Sequence, residues 1–155
     1  MAQQLVHVKV DKCPGESKAV GHEGEIQAQA WGWDISNKGR SGSSTGVADI
    51  KELWFKHRID KASPELMLLA MSGGDIPKAV LTVRKSEGDK KLDYLKLSME
   101  KVYITGVEAE QDAVEPSEKV SLSFNKIDIE YIPQKDDFTG DAPVKTTWKI
   151  AEGSK

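Results

Sequence analysis

Lys119-Val120-Ser121-Leu122-Ser123-Phe124-Asn125-Lys126-Ile127-Asp128-Ile129-Glu130-Tyr131-Ile132 contains two strand-like alternations that do not share a phase. Val120, Leu122 and Phe124 occupy one set of alternate positions, and Ile127, Ile129 and Tyr131 occupy the other. A period of two is the signature of a half-buried strand, and here it slips at Asn125 and Lys126. A β-bulge at that point, or a strand bending from one sheet into another, produces such a slip.

The same period runs outward in both directions. Downstream, Val144, Thr146, Trp148 and Ile150 alternate with Lys145, Thr147 and Lys149 in a last strand. Upstream, strands over 79–85 and 92–104 flank Ser86-Glu87-Gly88-Asp89, a turn-forming cluster, and read as a hairpin. A strand over 50–59 mixes Leu53 and Phe55 with Ile50 and Trp54. Over 25–33, Ile26, Ala28, Ala30 and Gly32 share one face, and Gln27, Gln29, Trp31 and Trp33 share the other. Val6, Val8 and Val10 alternate with His7 and Lys9 near the start. One segment breaks the period. Ser63-Pro64-Glu65-Leu66-Met67-Leu68-Leu69-Ala70-Met71-Ser72-Gly73-Gly74 opens with a capping serine, proline and an acid, and closes on glycine, so it predicts a short helix. Leu66, Leu69 and Ala70 form its core-facing stripe. About seven strands and one helix imply an all-β, mainly antiparallel barrel or sandwich.

The chain has 155 residues, the size of one domain, and neither a linker nor a repeat divides residues 1–155. With 38% hydrophobic and 30% charged residues it is neither collagen-like nor plainly disordered. Its 22 basic and 25 acidic residues leave a net charge of −3 without a basic block, which speaks against a nucleic-acid partner. No apolar run is long enough for membrane insertion, and residues 1–11 lack the pattern of a secretory signal. Cys13 is the single cysteine, so no disulfide closes within the chain. Three loops stand out: a long one over 34–48, rich in Gly and Ser, and two acidic ones over 108–118 and 134–142.

None of these segments assembles a catalytic set. Gly42-Ser43-Ser44-Thr45-Gly46 matches the spacing of a hydrolase nucleophile elbow, but that motif needs a helix after the serine and here a strand follows. His7, His22 and His57 lie far apart, without the spacing of a helical metal pair, and His7 sits at a bland alternating position. Asp136, Asp137 and Asp141 lack the order of a calcium loop. The expected reading is no enzyme, no metal and no cofactor.

Gly15-Glu16-Ser17, Gln29-Ala30-Trp31-Gly32-Trp33, Ile59-Asp60-Lys61-Ala62-Ser63-Pro64, Leu81-Thr82-Val83-Arg84-Lys85 and Tyr131-Ile132-Pro133-Gln134 follow one another in that order. Together with Trp148, and over nearly the whole chain, they resemble the haemolysin-coregulated protein (Hcp) family, the tube subunit of bacterial type VI secretion. The resemblance implies a β-barrel of two packed sheets with one short flanking α-helix. It further implies a homohexameric ring, stacked with copies of itself into a hollow tube. Its partners would be a contractile sheath, a VgrG-type spike and secreted effector proteins held in the lumen. The protein would be made in the bacterial cytoplasm and exported without a signal peptide.

In that frame the 34–48 loop corresponds to the family's extended loop that reaches the adjacent ring, with Asn37, Lys38, Arg40, Ser43 and Thr45 as candidate stacking residues. The small-residue face of Ala28, Ala30 and Gly32 is the candidate lumen and cargo face, because small side chains leave room. Packing under the helix is the other reading of that face. Two functions of other classes remain: a monomeric β-sandwich binder of a ligand or carbohydrate using Trp31, Trp33 or Trp54, and a serine hydrolase using Ser44.

Overall fold

A computed structural model describes residues 3–37 and 48–150. Among the described residues nine strands and one helix follow in order: β1 (Gln3–Val10), β2 (Ile26–Gly32), β3 (Ile35–Asn37), β4 (Ala48–Ile50), β5 (Leu53–Arg58), α1 (Ser63–Ser72), β6 (Asp75–Glu87), β7 (Lys90–Gln111), β8 (Pro116–Tyr131) and β9 (Val144–Lys149). The antiparallel order β5-β2-β1-β6-β7-β8 closes through a β5–β8 pairing into a six-stranded barrel. β9 extends the sheet beyond β8, and β3 and β4 form a separate two-stranded ladder.

The slip at Asn125 and Lys126 is where β8 exchanges neighbours. Residues 117–122 pair with β5, and residues 126–131 pair with β9. Val120, Leu122 and Phe124 are buried on one side of the bend and Ile127 on the other. Across the bend β8 keeps its register with β7, so the strand bends without bulging against that neighbour. β7 turns with it: Lys101, at φ +53°, stands at the same height, and burial changes phase there too. Bending both strands together lets one hairpin serve the barrel wall with one half and the β9 extension with the other.

The interior is lined by Val8, Ile26, Leu53, Phe55, Leu66, Ile76, Leu81, Met99, Leu122 and Ile127, all at most 1% exposed. α1 contributes Leu66 and Leu69, with Ala70 partly buried against the same core. Its N-terminus differs from the sequence reading. Ala62 is the N-cap residue and the cap has no side-chain hydrogen bond. The reason lies in the preceding turn, where Asp60 Oδ1 accepts the Ala62 N–H at 2.8 Å and Ser63 Oγ accepts the Asp60 N–H at 3.0 Å. Ser63 therefore closes the turn into the helix instead of capping it. Gly73, in the left-handed region at φ +74°, ends the helix as expected.

One loop is shorter than the sequence implied, and one strand is interrupted. The acidic 108–118 segment is mostly strand, and only residues 112–115 turn. Asp112 Oδ1 accepts the N–H groups of Val114 and Glu115, which closes the turn tightly and lowers the Asp112 carboxyl pKa. The 50–59 strand is interrupted at Lys51 and Glu52. There the Lys51 N–H donates to the Asp34 carbonyl, and the chain passes into the β3–β4 ladder.

Candidate functional site

The described ends of the long 34–48 segment leave the barrel as a paired, two-stranded arm. Ile35, Ser36 and Asn37 pair with Ile50, Asp49 and Ala48. Every β3 residue is exposed, including Ile35 at 57%. Asn37 is thus placed at the outer end of the described ladder, while Lys38, Arg40, Ser43, Ser44 and Thr45 lie outside the described residues. The arm joins the Leu53 end of β5. At the other end of β5, Arg58 pairs with Ser117, beside the β7–β8 turn that carries Asp112 and Glu115. Arm and acidic turn therefore stand toward opposite ends of one strand.

The small-residue face does not survive as a single face. The register of β2 against β5 shifts between Ala28 and Ala30. Ala28 pairs with His57 and is buried, Ala30 pairs with Lys56, Trp31 with the buried Phe55, and Gly32 with Trp54. One irregularity thus turns Ala28 inward and leaves Ala30 and Gly32 on the outer face. Ala28 is closed to cargo. On that outer face Trp54 pairs with Ser121, which stands opposite Gly106, so Gly32, Ser121 and Gly106 share a row of small residues with the indole. Gly32 is small for a packing reason: a Cβ there would stand 2.6 Å from the Trp54 indole.

The tryptophans all have partners within the chain. Trp33 meets Phe124 edge-on with ring centroids 5.9 Å apart, and its Nε1–H donates to the Lys51 carbonyl at 2.9 Å. The Lys119 ammonium sits 4.8 Å from the Trp54 ring centroid, and Trp31 packs against the core.

α1 is apolar on both sides. Leu66 and Leu69 face the core, while Leu68 is 51% and Met71 79% exposed, and Glu65 is the helix's single charged residue. A surface helix normally presents a polar outer stripe, so a helix apolar all round is the kind found under cover.

Polar chemistry is concentrated in two buried clusters that the alternating pattern did not reveal. Inside the barrel, His57 Nε2 lies 2.7 Å from Glu118 Oε2, both side chains fully buried, and His57 Nδ1 is 3.7 Å from Asp60. Burial alone would lower the His57 pKa, but the nearby Asp60 carboxylate, with the hydrogen bond and charge of Glu118, outweighs it and raises it to about 9. Outside the wall, the His7 and His22 rings stack in parallel, 4.7 Å apart and 3° from coplanar. Residues widely separated in sequence meet in both clusters, which spacing alone does not disclose. The lone thiol, Cys13, is buried, and that burial raises its pKa to about 11. Among the described residues no group of three or more His, Cys, Asp or Glu could hold a metal, and no helix is long and apolar enough to cross a membrane.

A sequence profile described as "Type VI secretion system effector, Hcp" matches residues 7–131. The chain is 34% identical over 152 residues to the protein hcp1 of Pseudomonas aeruginosa, covering 94% of each. Among solved structures it is similar to Hcp1 from Salmonella typhimurium, with a TM-score of 0.83 and 28% identity over 99% of each chain. It is also similar to a type VI secretion system effector from Yersinia pestis, with a TM-score of 0.79 and 29% identity over 94% of this chain and 99% of that one. A match over most of the chain, on the same closed barrel, places this protein in the Hcp family of type VI secretion system proteins.

Proposed function

We propose that this Hcp protein is a structural tube subunit and not an enzyme. Copies join head to tail into homohexameric rings, and the rings stack into a hollow tube. A contractile sheath surrounds the tube, a VgrG-type spike tips it, and effectors travel in its lumen. The subunit is made in the bacterial cytoplasm and leaves through the type VI machinery.

The observation that carries this reading is the surplus apolar face of α1: Leu68 and Met71 stand exposed on a helix whose opposite side already fills the core. A neighbouring copy is the cover that a ring provides, through a heterologous contact between two different patches. The arm and the acidic turn support stacking, since they point to opposite ends of β5 and the arm's sequence carries Lys38 and Arg40. For the lumen, the outer row of Gly32, Ser121 and Gly106, with Ala30 beside it, replaces the face first read from the sequence. Negative-stain electron microscopy of the purified chain tests the reading. Six-fold rings, and stacks of them at high concentration, are expected; a field of isolated monomers contradicts it.

A further inference from the structure

His7 is fully buried, yet neither ring nitrogen has a hydrogen-bond partner among the described residues. Nearly every buried polar side chain in a folded protein is paired, so an orphaned imidazole needs an account. Residues 12–25 supply it. Past Cys13, which sits in the core and bridges Val10, the segment crosses the outer face of β1 and β6 as a strap folded largely on itself, with Gly15 N–H to Gly24 O, Ser17 N–H to Glu25 O and Gly24 N–H to Ser17 O hydrogen bonds. The strap presses the His22 ring flat on His7, sealing it from water.

His22 is itself held from both sides. Its Nδ1 lies 2.9 Å from Glu25 Oε1 and its Nε2 2.9 Å from Asp93 Oδ2. Arg84 Nε donates to Asp93 Oδ1 at 2.6 Å, and Arg84 Nη1 donates to the Val20 carbonyl at the strap's exposed tip. The surroundings of His7 are set element by element. β1 itself places Leu5 and Lys9 on the same face, β2 places the uncharged Gln27 opposite, and β6 places Thr82 opposite, with Arg84 beyond it. β7 brings Asp93 and, opposite Thr82, Lys96. The strap brings His22 with Glu25. The one nearby carboxylate of the wall, Asp93, is already shared between Arg84 and His22, so a charge on His7 would find a dry stack, a second imidazole and a guanidinium.

We propose that the strap is a clasp released by acid, with the His7–His22 stack as its catch. A proton on His7 is disfavoured under the closed strap, so protonation favours lifting His22 away, which hydrates His7 and frees residues 14–25 from β1 and β6. The direction follows from the position. Burial first, then the His22 and Arg84 charges, hold the closed-state His7 at about 4, below the usual 6.5. The open state binds the proton more tightly, so the closed clasp loses stability as pH falls from 6.5 toward 4 and is fully favoured above 6.5. This inference stands independently of the ring.

Hydrogen exchange on the full chain between pH 7 and pH 3.5, corrected for intrinsic rates, tests it. Protection at the Gly15, Ser17, His22, Gly24 and Glu25 amides should fall by roughly 80-fold between pH 6.5 and pH 4, while β6 and β7 amides keep theirs. His7→Phe, which preserves the stack without a titratable ring, should abolish the fall. The proposal is overturned by strap protection independent of pH, by the same fall in His7→Phe, or by simultaneous loss in β6 and β7. Should His7→Phe not fold, nuclear magnetic resonance of the parent decides: strap-amide shifts that change together with the His7 ring nitrogens support the clasp, and strap amides that stay put while His7 titrates, or a His7 midpoint near 6.5, overturn it.

Discussion

His57 on β5 and Glu118 on β8 occupy paired positions and form a 2.7 Å ion pair inside the barrel, across the one strand pairing that closes it. Neither side chain is exposed, and Glu118 Oε1 has no further partner among the described residues, so this pair is the main polar commitment of the interior. An ion pair so placed favours one register of β5 on β8 over neighbouring ones, because any slip leaves two buried charges apart.

The pair predicts how stability varies with alkaline pH. His57 is raised from 6.5 to about 9 in the fold, so its contribution is complete below 6.5 and is lost as pH rises through 9. The loss amounts to about 3 kcal/mol at most. Denaturant unfolding between pH 6 and pH 10 should show this decline, and Glu118→Gln should flatten it. Glu118→Ala at pH 7 should cost about 3–5 kcal/mol, because it strands a buried imidazolium.

Gly32→Val should destabilise the barrel by about 1–3 kcal/mol, since the new side chain has to displace the Trp54 ring that now stands 2.6 Å from the position of a Cβ. Ala30→Ser, on the same outer face, should stay within about 0.5 kcal/mol. Urea midpoints and Trp54 fluorescence read both changes.

How far the fold could be read in the sequence is visible at three places. Val6, Val8 and Val10, the Gly73 stop of α1 and the bend at Asn125 and Lys126 were legible, because each depends on local period or turn chemistry that a single stretch contains. The irregularity between Ala28 and Ala30 was not, because Gln and Ala continue to alternate through it and only β5 reveals the shift. The His57–Glu118 and His7–His22 contacts join residues on different elements, so no local pattern marks them. The 112–115 turn was read too long because strand residues such as Glu108 and Glu110 are exposed and charged, and resemble a loop by composition.

Leu68→Glu with Met71→Glu should leave the folded barrel intact, since both side chains are more than half exposed, and should abolish ring formation. Circular dichroism checks the fold, and size-exclusion chromatography with light scattering checks the assembly. A variant that forms rings like its parent removes α1 from the interface.

Lys38→Glu with Arg40→Glu should preserve rings and shorten or abolish stacks, and added salt should weaken stacking of the parent before it opens rings. Each exposed pair is worth only about 0–1 kcal/mol, so the effect rests on repetition around the ring. Electron microscopy of mutant and parent at matched concentration compares stack lengths.

The central claim, that this chain is a ring-forming subunit, is tested most directly by its native mass at micromolar concentration and moderate salt. The account predicts a dominant species of six times the 17.1 kDa chain. A stable species of 17.1 kDa under those conditions would contradict it.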